Sequence, residues 1–298
     1  MSLDILKPLI LFLVLCAVNP FPSVNSAVPF LEILRGIRRG QNANGVGTLR
    51  SYLKTLGYQV NEQSSSDNNF DENVESALKQ YQAFHHLQTS GVVDDETIRT
   101  MSLPRCGLPD ITATPNPNPN PNNPNGLSSP APQNYEYFPG NPKWSRFNLT
   151  YRVTQNPRGV SVTRNDLREA MSNAFQTWGN DNNFTFTERT GRTDIVSGFY
   201  YWFHGDFAPF DGPGMVLAHA YAPEDGRAHF DASERWSTTG AGDFIDLLSV
   251  VLHEIGHVLG LGHSNDSNAV MAPTYTGVRR NLAQDDKDGL NNLYGFPN

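Results

Sequence analysis

The sequence has almost no cysteine. Its 298 residues include two, Cys16 and Cys106, and Cys16 falls in the apolar leader described below. With the leader gone no intrachain disulfide can form, so the fold rests on its cores and the lone thiol calls for a role of its own. Basic residues are also scarce: 22 Lys and Arg against 30 Asp and Glu leave a formal net charge of −8. That balance argues against nucleic acid or an anionic membrane surface as the main partner. Long apolar runs are missing except over residues 9–18. With Lys7 before it and Asn25-Ser26-Ala27 after it, this run reads as part of a signal peptide spanning residues 1–27. It is too short to span a bilayer, and Tyr294-Gly295-Phe296-Pro297-Asn298 carries no lipid-anchor signal. A secreted, extracellular protein without a membrane anchor is therefore expected, and sequons at Asn148, Asn183 and Asn265 suit a glycoprotein.

The 21 prolines are unevenly spread. Pro115-Asn116-Pro117-Asn118-Pro119-Asn120-Pro121 marks residues 111–134 as a low-complexity linker of extended, solvated backbone. No Lys or Arg occurs over residues 107–142, which excludes processing at a basic site there. Another protease, autolysis or a conformational trigger is left to activate the chain. Before the linker, residues 28–110 carry helical periodicities in Leu31, Leu34 and Ile37, in Leu49, Tyr52, Leu53 and Leu56, and in Val74, Ala77, Leu78, Tyr81 and Phe84, with a further short helix after Gly91. After it, residues 135–298 mix strand-like runs at 149–153, 184–190 and 194–203 with an amphipathic helix over 162–178 and a last helix from Gln284. An all-helical unit followed by an α+β unit is expected.

The second unit carries the densest chemistry. Residues 244–259 read as a helix on which His253 and His257 stand one turn apart, facing the same way, as two ligands of one metal must. Gly260 permits a turn that can swing His263 back as a third ligand. Three neutral imidazoles leave one tetrahedral position open, the pattern of a catalytic zinc. Glu254 is placed to hydrogen-bond a water in that position and act as general base. Upstream, the polar, glycine-rich stretch 204–214, together with His219 and His229, offers three imidazoles and a carboxylate, a set that suits a closed structural zinc.

His253-Glu254-Ile255-Gly256-His257-Val258-Leu259-Gly260-Leu261-Gly262-His263, with Met271 downstream in Ala269-Val270-Met271-Ala272-Pro273, resembles the signature of the metzincin zinc endopeptidases. Pro104-Arg105-Cys106-Gly107-Leu108-Pro109-Asp110 resembles the cysteine switch of the matrix metalloproteinases, with Leu108 where animal relatives usually have Val. The short helical unit, the long linker and the lack of a haemopexin-like domain look most like the plant-type members, for which the extracellular location would be the apoplast or cell-wall space. The resemblance implies a twisted, mostly parallel five-stranded sheet with three helices, preceded by a peptidoglycan-binding-like prodomain that acts as the chain's own inhibitor. Cys106, as thiolate, would fill the open zinc position, and Arg105 and Asp110 could pair to hold that loop across the cleft.

The same resemblance assigns the second zinc to His204, Asp206, His219 and His229. It gives a calcium site to Asp211, Asp231 and Glu234 with the backbone oxygens of Gly212, Gly214 and Val216. It makes Met271 the floor of the metal site, Pro273 and Tyr275 a wall of the S1′ pocket, and Ser249 the residue shaping the bottom of that pocket. Asp285 would pair with the amino terminus freed on activation. A monomeric endopeptidase acting on extracellular proteins or peptides follows. Two other readings stay open: a zinc-binding pseudoenzyme, and a helical unit that binds wall polymers in its own right.

Overall fold

The computed structural model describes residues 29–60, 68–111, 134–180 and 182–297; the expected signal peptide and nearly all of the expected linker lie outside the described residues. The first unit consists of α1 (Pro29–Ile33), α2 (Val46–Thr55), α3 (Glu72–Phe84) and α4 (Asp95–Met101). Two of these start where an aspartate caps them: Asp71 accepts from the Val74 N–H and Asp94 from the Thr97 N–H, satisfying donors that a helix start leaves open. Their apolar stripes meet in one core containing Leu31, Leu49, Leu53, Phe70, Val74, Leu78 and Tyr81.

From α4 the chain enters β1 (Arg105–Cys106), which does not stay with the helices. It lies parallel to β6 (Val216–Ala220) of the second unit and adds a sixth strand to that unit's sheet. The other four strands are β3 (Asn148–Val153), β4 (Thr185–Glu188), β5 (Ile195–Tyr200) and β7 (Arg227–Asp231). The order is β1-β6-β7-β5-β3-β4, and only the β6–β7 pairing is antiparallel. The second unit thus contributes five mostly parallel strands and three helices, α5 (Arg164–Gly179), α6 (Leu247–Val258) and α7 (Gln284–Tyr294).

The helices pack by the pattern their sequences carry. In α5, Thr163 and Asp166 form a capping box, and Leu167, Met171, Ala174, Phe175 and Trp178 are buried along one face. Trp178 also donates its indole N–H to the Leu252 carbonyl of α6 (2.8 Å), which ties α5 to the helix that bears the metal-binding motif. That helix begins at Leu247, later than the expected residue 244. The reason is local: β9 (Ile245–Asp246) pairs with β8 (Trp236–Ser237), and Asp246 then caps α6 through the Ser249 N–H. After α6, Gly260 takes φ +105, and a Cβ there would sit 2.4 Å from the Pro142 carbonyl oxygen. The chain turns into β10 (Leu261–Ser264), antiparallel to β2 (Tyr135–Tyr137), so His263 is delivered by a strand.

Gly256 sits on α6 where the helix passes closest to Met271; a Cβ there would lie 2.2 Å from the Met271 sulfur and 3.0 Å from the Trp178 ring. Gly256→Ala is therefore expected to overpack the junction and cost about 1–3 kcal/mol. Chemical unfolding of the variant measures this, and wild-type stability would contradict the packing described.

Candidate metal centre and cleft

His253, His257 and His263 are buried and their rings face one another. Each Nδ1 lies against a backbone carbonyl: His253 on Val270 (2.7 Å), His257 on Leu261 (2.8 Å) and His263 on Pro109 (2.7 Å). A carbonyl can only accept, so every Nδ1 carries the proton and every Nε2 is left with a lone pair. Those lone pairs converge. The Nε2 atoms of His253 and His257 are 3.0 Å apart, Cys106 Sγ is 3.5 Å from His257 Nε2, and His263 Nε2 is buried with no hydrogen-bond partner. A tetrahedral zinc with nitrogen and sulfur ligands has edges of about 3.3–3.6 Å, close to these separations. Burial pushes His253 down to about 4, and burial together with the charges of neighbouring rings pushes His257 and His263 down as well, toward the neutral form a ligand needs.

Glu254 is fully buried beside this cluster, with neither carboxylate oxygen hydrogen-bonded. Burial pushes its carboxyl up to about 8, and burial together with the Glu254 charge pushes the Cys106 thiol up. A divalent cation at the centre reverses these tendencies, since a coordinating thiol is deprotonated outright. Phe138 closes one side with its ring edge-on to His257. Met271, fully buried, packs under α6 at Gly256, and its turn is held by Asp286, which accepts from the N–H groups of Val270 and Met271 (2.9 and 3.0 Å).

The cleft itself is filled by the chain. Arg105 N–H donates to Met215, Gly107 N–H to Ala218, and Cys106 N–H to Pro273, while Tyr275 N–H donates to Pro104. Residues 104–107 therefore sit as an added strand between β6 and the 273–275 wall, the geometry in which an extended peptide augments a sheet edge. The Arg105 guanidinium donates to the Cys106 and Leu108 carbonyls and pairs with Asp110. Asp110 in turn accepts from Tyr58 (2.8 Å) and meets His85 Nε2 at 3.3 Å. Burial alone would raise the Asp110 carboxyl, but Arg105 and His85 outweigh it and hold it well below the usual carboxylate range.

Elsewhere, His204 Nε2, His219 Nε2 and His229 Nδ1 all lie within 2.9 Å of Asp206 Oδ2. Among the described residues, this group and the Cys106–His253–His257–His263 group each bring four ligand atoms within 4.8 Å of one another. The three acids assigned to calcium are not a third such group. They still influence one another: burial, then Asp231 and Asp211, push Glu234 up to about 7, and Asp231 Oδ2 is buried without a partner. In the same loop the Gly214 N–H donates to Glu234 and the Val216 N–H to Asp211, contacts made by the amides and not by the backbone oxygens expected as ligands; Gly212 adjoins Asp211.

A pocket beside Glu254 is lined by Ser249, Pro273, Tyr275 and Arg279 among others. Ser249 does not point a free hydroxyl into it: its Oγ donates to Asp246 (2.6 Å) and accepts from the Arg279 N–H (2.8 Å). Asp285 accepts from the Asn134 N–H (3.3 Å) and from Ser264. Sequence reasoning missed Tyr58 and His85 as anchors of Asp110, Asp286 as the brace of the Met271 turn, and Pro109 as the partner of His263. Asp286 carried a faint signal as an acid in the first turn of α7. The other three carried none, because each contact joins distant parts of the chain.

The matrixin family profile matches residues 143–295, and a peptidoglycan-binding-domain profile matches residues 42–101. The chain is 40% identical over 269 residues to Metalloendoproteinase 1 of Glycine max, covering 86% of this chain and 84% of that one. It is 38% identical over 268 residues to Metalloendoproteinase 1-MMP of Arabidopsis thaliana (87% and 71%). It is 36% identical over 294 residues to human Matrilysin (95% and 96%).

Asp110→Asn would leave Arg105 buried without its counter-charge, at an expected cost of about 3–5 kcal/mol. Because the folded carboxyl is depressed, its stabilisation is fully present above the unfolded pKa of about 3.9 and fades only as pH falls through the lower folded value. Unfolding of wild type and variant should therefore show a constant gap from about pH 7 to 5 that narrows below about pH 4. A gap that already shrinks between pH 7 and 5 would contradict this account.

Proposed function

The chain belongs to the matrixin family and is a zinc metalloendopeptidase, and from that premise we propose that it is secreted as a latent zymogen that cleaves extracellular proteins before a hydrophobic P1′ residue. The observation that carries this reading is the convergence of three lone-pair nitrogens and the Cys106 sulfur beside an unpartnered Glu254 carboxylate. A zinc ion held by His253, His257 and His263 supplies Lewis acidity toward the scissile carbonyl and the attacking water. The remaining work falls to the chain's own groups. Glu254 takes the proton of the attacking water and passes it to the leaving amine nitrogen, a role that its buried carboxylate beside the histidine cluster is placed to fill.

Latency follows from residues 104–107 lying where an extended substrate would lie, with the Cys106 thiolate as fourth ligand. The prodomain is thus its own enzyme's inhibitor. On release, a substrate strand takes over the main-chain partners on β6 and at residues 273–275, and its P1′ side chain enters the pocket formed by Ser249, Pro273 and Tyr275. His204, Asp206, His219 and His229 hold a structural zinc, and Asp211, Asp231 and Glu234, with the carbonyls of Gly212, Gly214 and Val216, hold calcium. Asp285, already bonded to the Asn134 N–H, receives the amino terminus freed nearby. The enzyme acts as a monomer outside the cell, glycosylated at its sequons; no described helix is long and apolar enough to cross a membrane.

The test is cleavage of a quenched peptide with Gly-Leu at the scissile bond, before and after a thiol-reactive mercurial and with and without a chelator. Activity should rise with the mercurial, vanish with the chelator and be abolished by Glu254→Ala while zinc stays bound. Full activity without the mercurial would remove the Cys106 latency, and appreciable turnover by Glu254→Ala would remove the general base. In the same assay a peptide with Leu at P1′ should be preferred over one with Ala; equal cleavage would remove the hydrophobic P1′ preference assigned to the pocket of Ser249, Pro273 and Tyr275.

A further inference from the structure

Of the three carbonyls that orient the histidines, two belong to the catalytic unit itself: Val270 for His253 and Leu261 for His257. The third does not. His263 Nδ1 is held at 2.7 Å by the carbonyl of Pro109, a residue of the prodomain. That carbonyl is firmly placed. The next residue, Asp110, donates its N–H to Leu56 at the end of α2 (2.9 Å), and its fully buried side chain is fixed by Arg105, Tyr58 and His85. An unbroken path of bonds therefore runs from the prodomain core to the ring of His263. We propose that the prodomain is a metal-retention element as well as a plug: independently of the Cys106 thiol, the Pro109 carbonyl locks His263 in the tautomer that aims Nε2 at the metal. This rests on the reading of His253, His257 and His263 as zinc ligands.

The physical basis is the asymmetry between a carbonyl and water. A carbonyl only accepts, so it fixes the proton on Nδ1; water donates as readily as it accepts and specifies neither tautomer nor ring orientation. Once residues 104–110 leave the cleft, His263 alone among the three exchanges a fixed acceptor for solvent. Loss of such an orienting partner typically lowers metal affinity about 10–100-fold. The zymogen is then the form in which zinc is loaded and kept, and activation yields an enzyme that holds its ion less tightly.

The test uses the full chain with Cys106→Ala, which removes the thiol and keeps the carbonyl, loaded with zinc and labelled with heavy nitrogen at histidine. The ring N–H groups of His253, His257 and His263 should all be protected from exchange with solvent. Adding Asp110→Ala, which removes the side-chain anchors to Arg105, Tyr58 and His85 and leaves only the backbone bond to Leu56, should loosen Pro109 and expose the His263 N–H alone. Withdrawal of the ion by a chelator, followed through the three ring signals, should become about 10–100-fold faster. A His263 N–H that exchanges freely in the Cys106→Ala chain overturns the proposal, and this single-variant measurement stands even where Asp110→Ala fails to fold. Unchanged protection and unchanged zinc release in a folded double variant overturn it too. A chain that takes up no zinc defeats the protease reading along with this one, whereas zinc bound with an unprotected His263 defeats this one alone.

Discussion

Neutral imidazole nitrogens that face one another in a dry interior repel unless something positive lies between them, and much of this molecule is arranged to hold three of them in that position. Desolvation keeps the rings uncharged and backbone carbonyls fix which nitrogen is bare. The two ring acceptors that the catalytic unit supplies come from the two segments that follow α6. Leu261 opens β10, and Val270 belongs to the turn braced by Asp286 from α7. Gly256 and Gly260 are the positions where these segments come too close to α6 or to the 142 loop for any side chain. The centre's geometry is thus a consequence of how tightly the last third of the chain packs on one helix.

The same constraint explains why the prodomain engages the cleft by backbone rather than by shape alone. A thiol brought near three histidines must be held to within a few tenths of an ångström, and a free loop pays too much entropy for that. Four main-chain hydrogen bonds to β6 and to the 273–275 wall place Cys106 as firmly as any sheet residue. Arg105, spanning the Cys106 and Leu108 carbonyls to reach Asp110, closes the loop on the far side. A buried ion pair contributes little net stability of its own. Its value here lies in geometry, since one partner sits on the added strand and the other on the residue bonded to α2.

How much of this the sequence discloses depends on the range of the contact. His253, Glu254 and His257 were legible because a helix turns a four-residue spacing into a shared face. The five mostly parallel strands and three helices of the catalytic unit were legible chiefly through the resemblance, while periodicity supplied α3 and α5 almost to the residue. The start of α6 was misplaced by three residues because Ile245 and Asp246 have partners some ten residues upstream, which local periodicity does not register. Strand β1 was invisible as a strand: two residues carry no alternation, and what makes them a strand is the edge of β6 in another part of the chain. Tyr58 and His85 were illegible for the same reason, each being an ordinary core-facing residue until Asp110 arrives.

The prodomain and the catalytic unit keep separate hydrophobic cores, so what joins them is largely polar: a strand pairing, a buried ion pair and bonds from histidine rings. Polar contacts of this kind are individually modest but strongly cooperative when they share a dry interface. Asp110 is the point at which they meet, because its backbone holds the prodomain, its side chain holds Arg105, and the carbonyl just before it holds His263. Any event that opens the interface at one of these bonds admits water to the others. Each remaining bond then competes with solvent, which favours release of the segment as a unit over stepwise loosening. An interface built this way favours an all-or-none opening, the behaviour that the proposed latency requires.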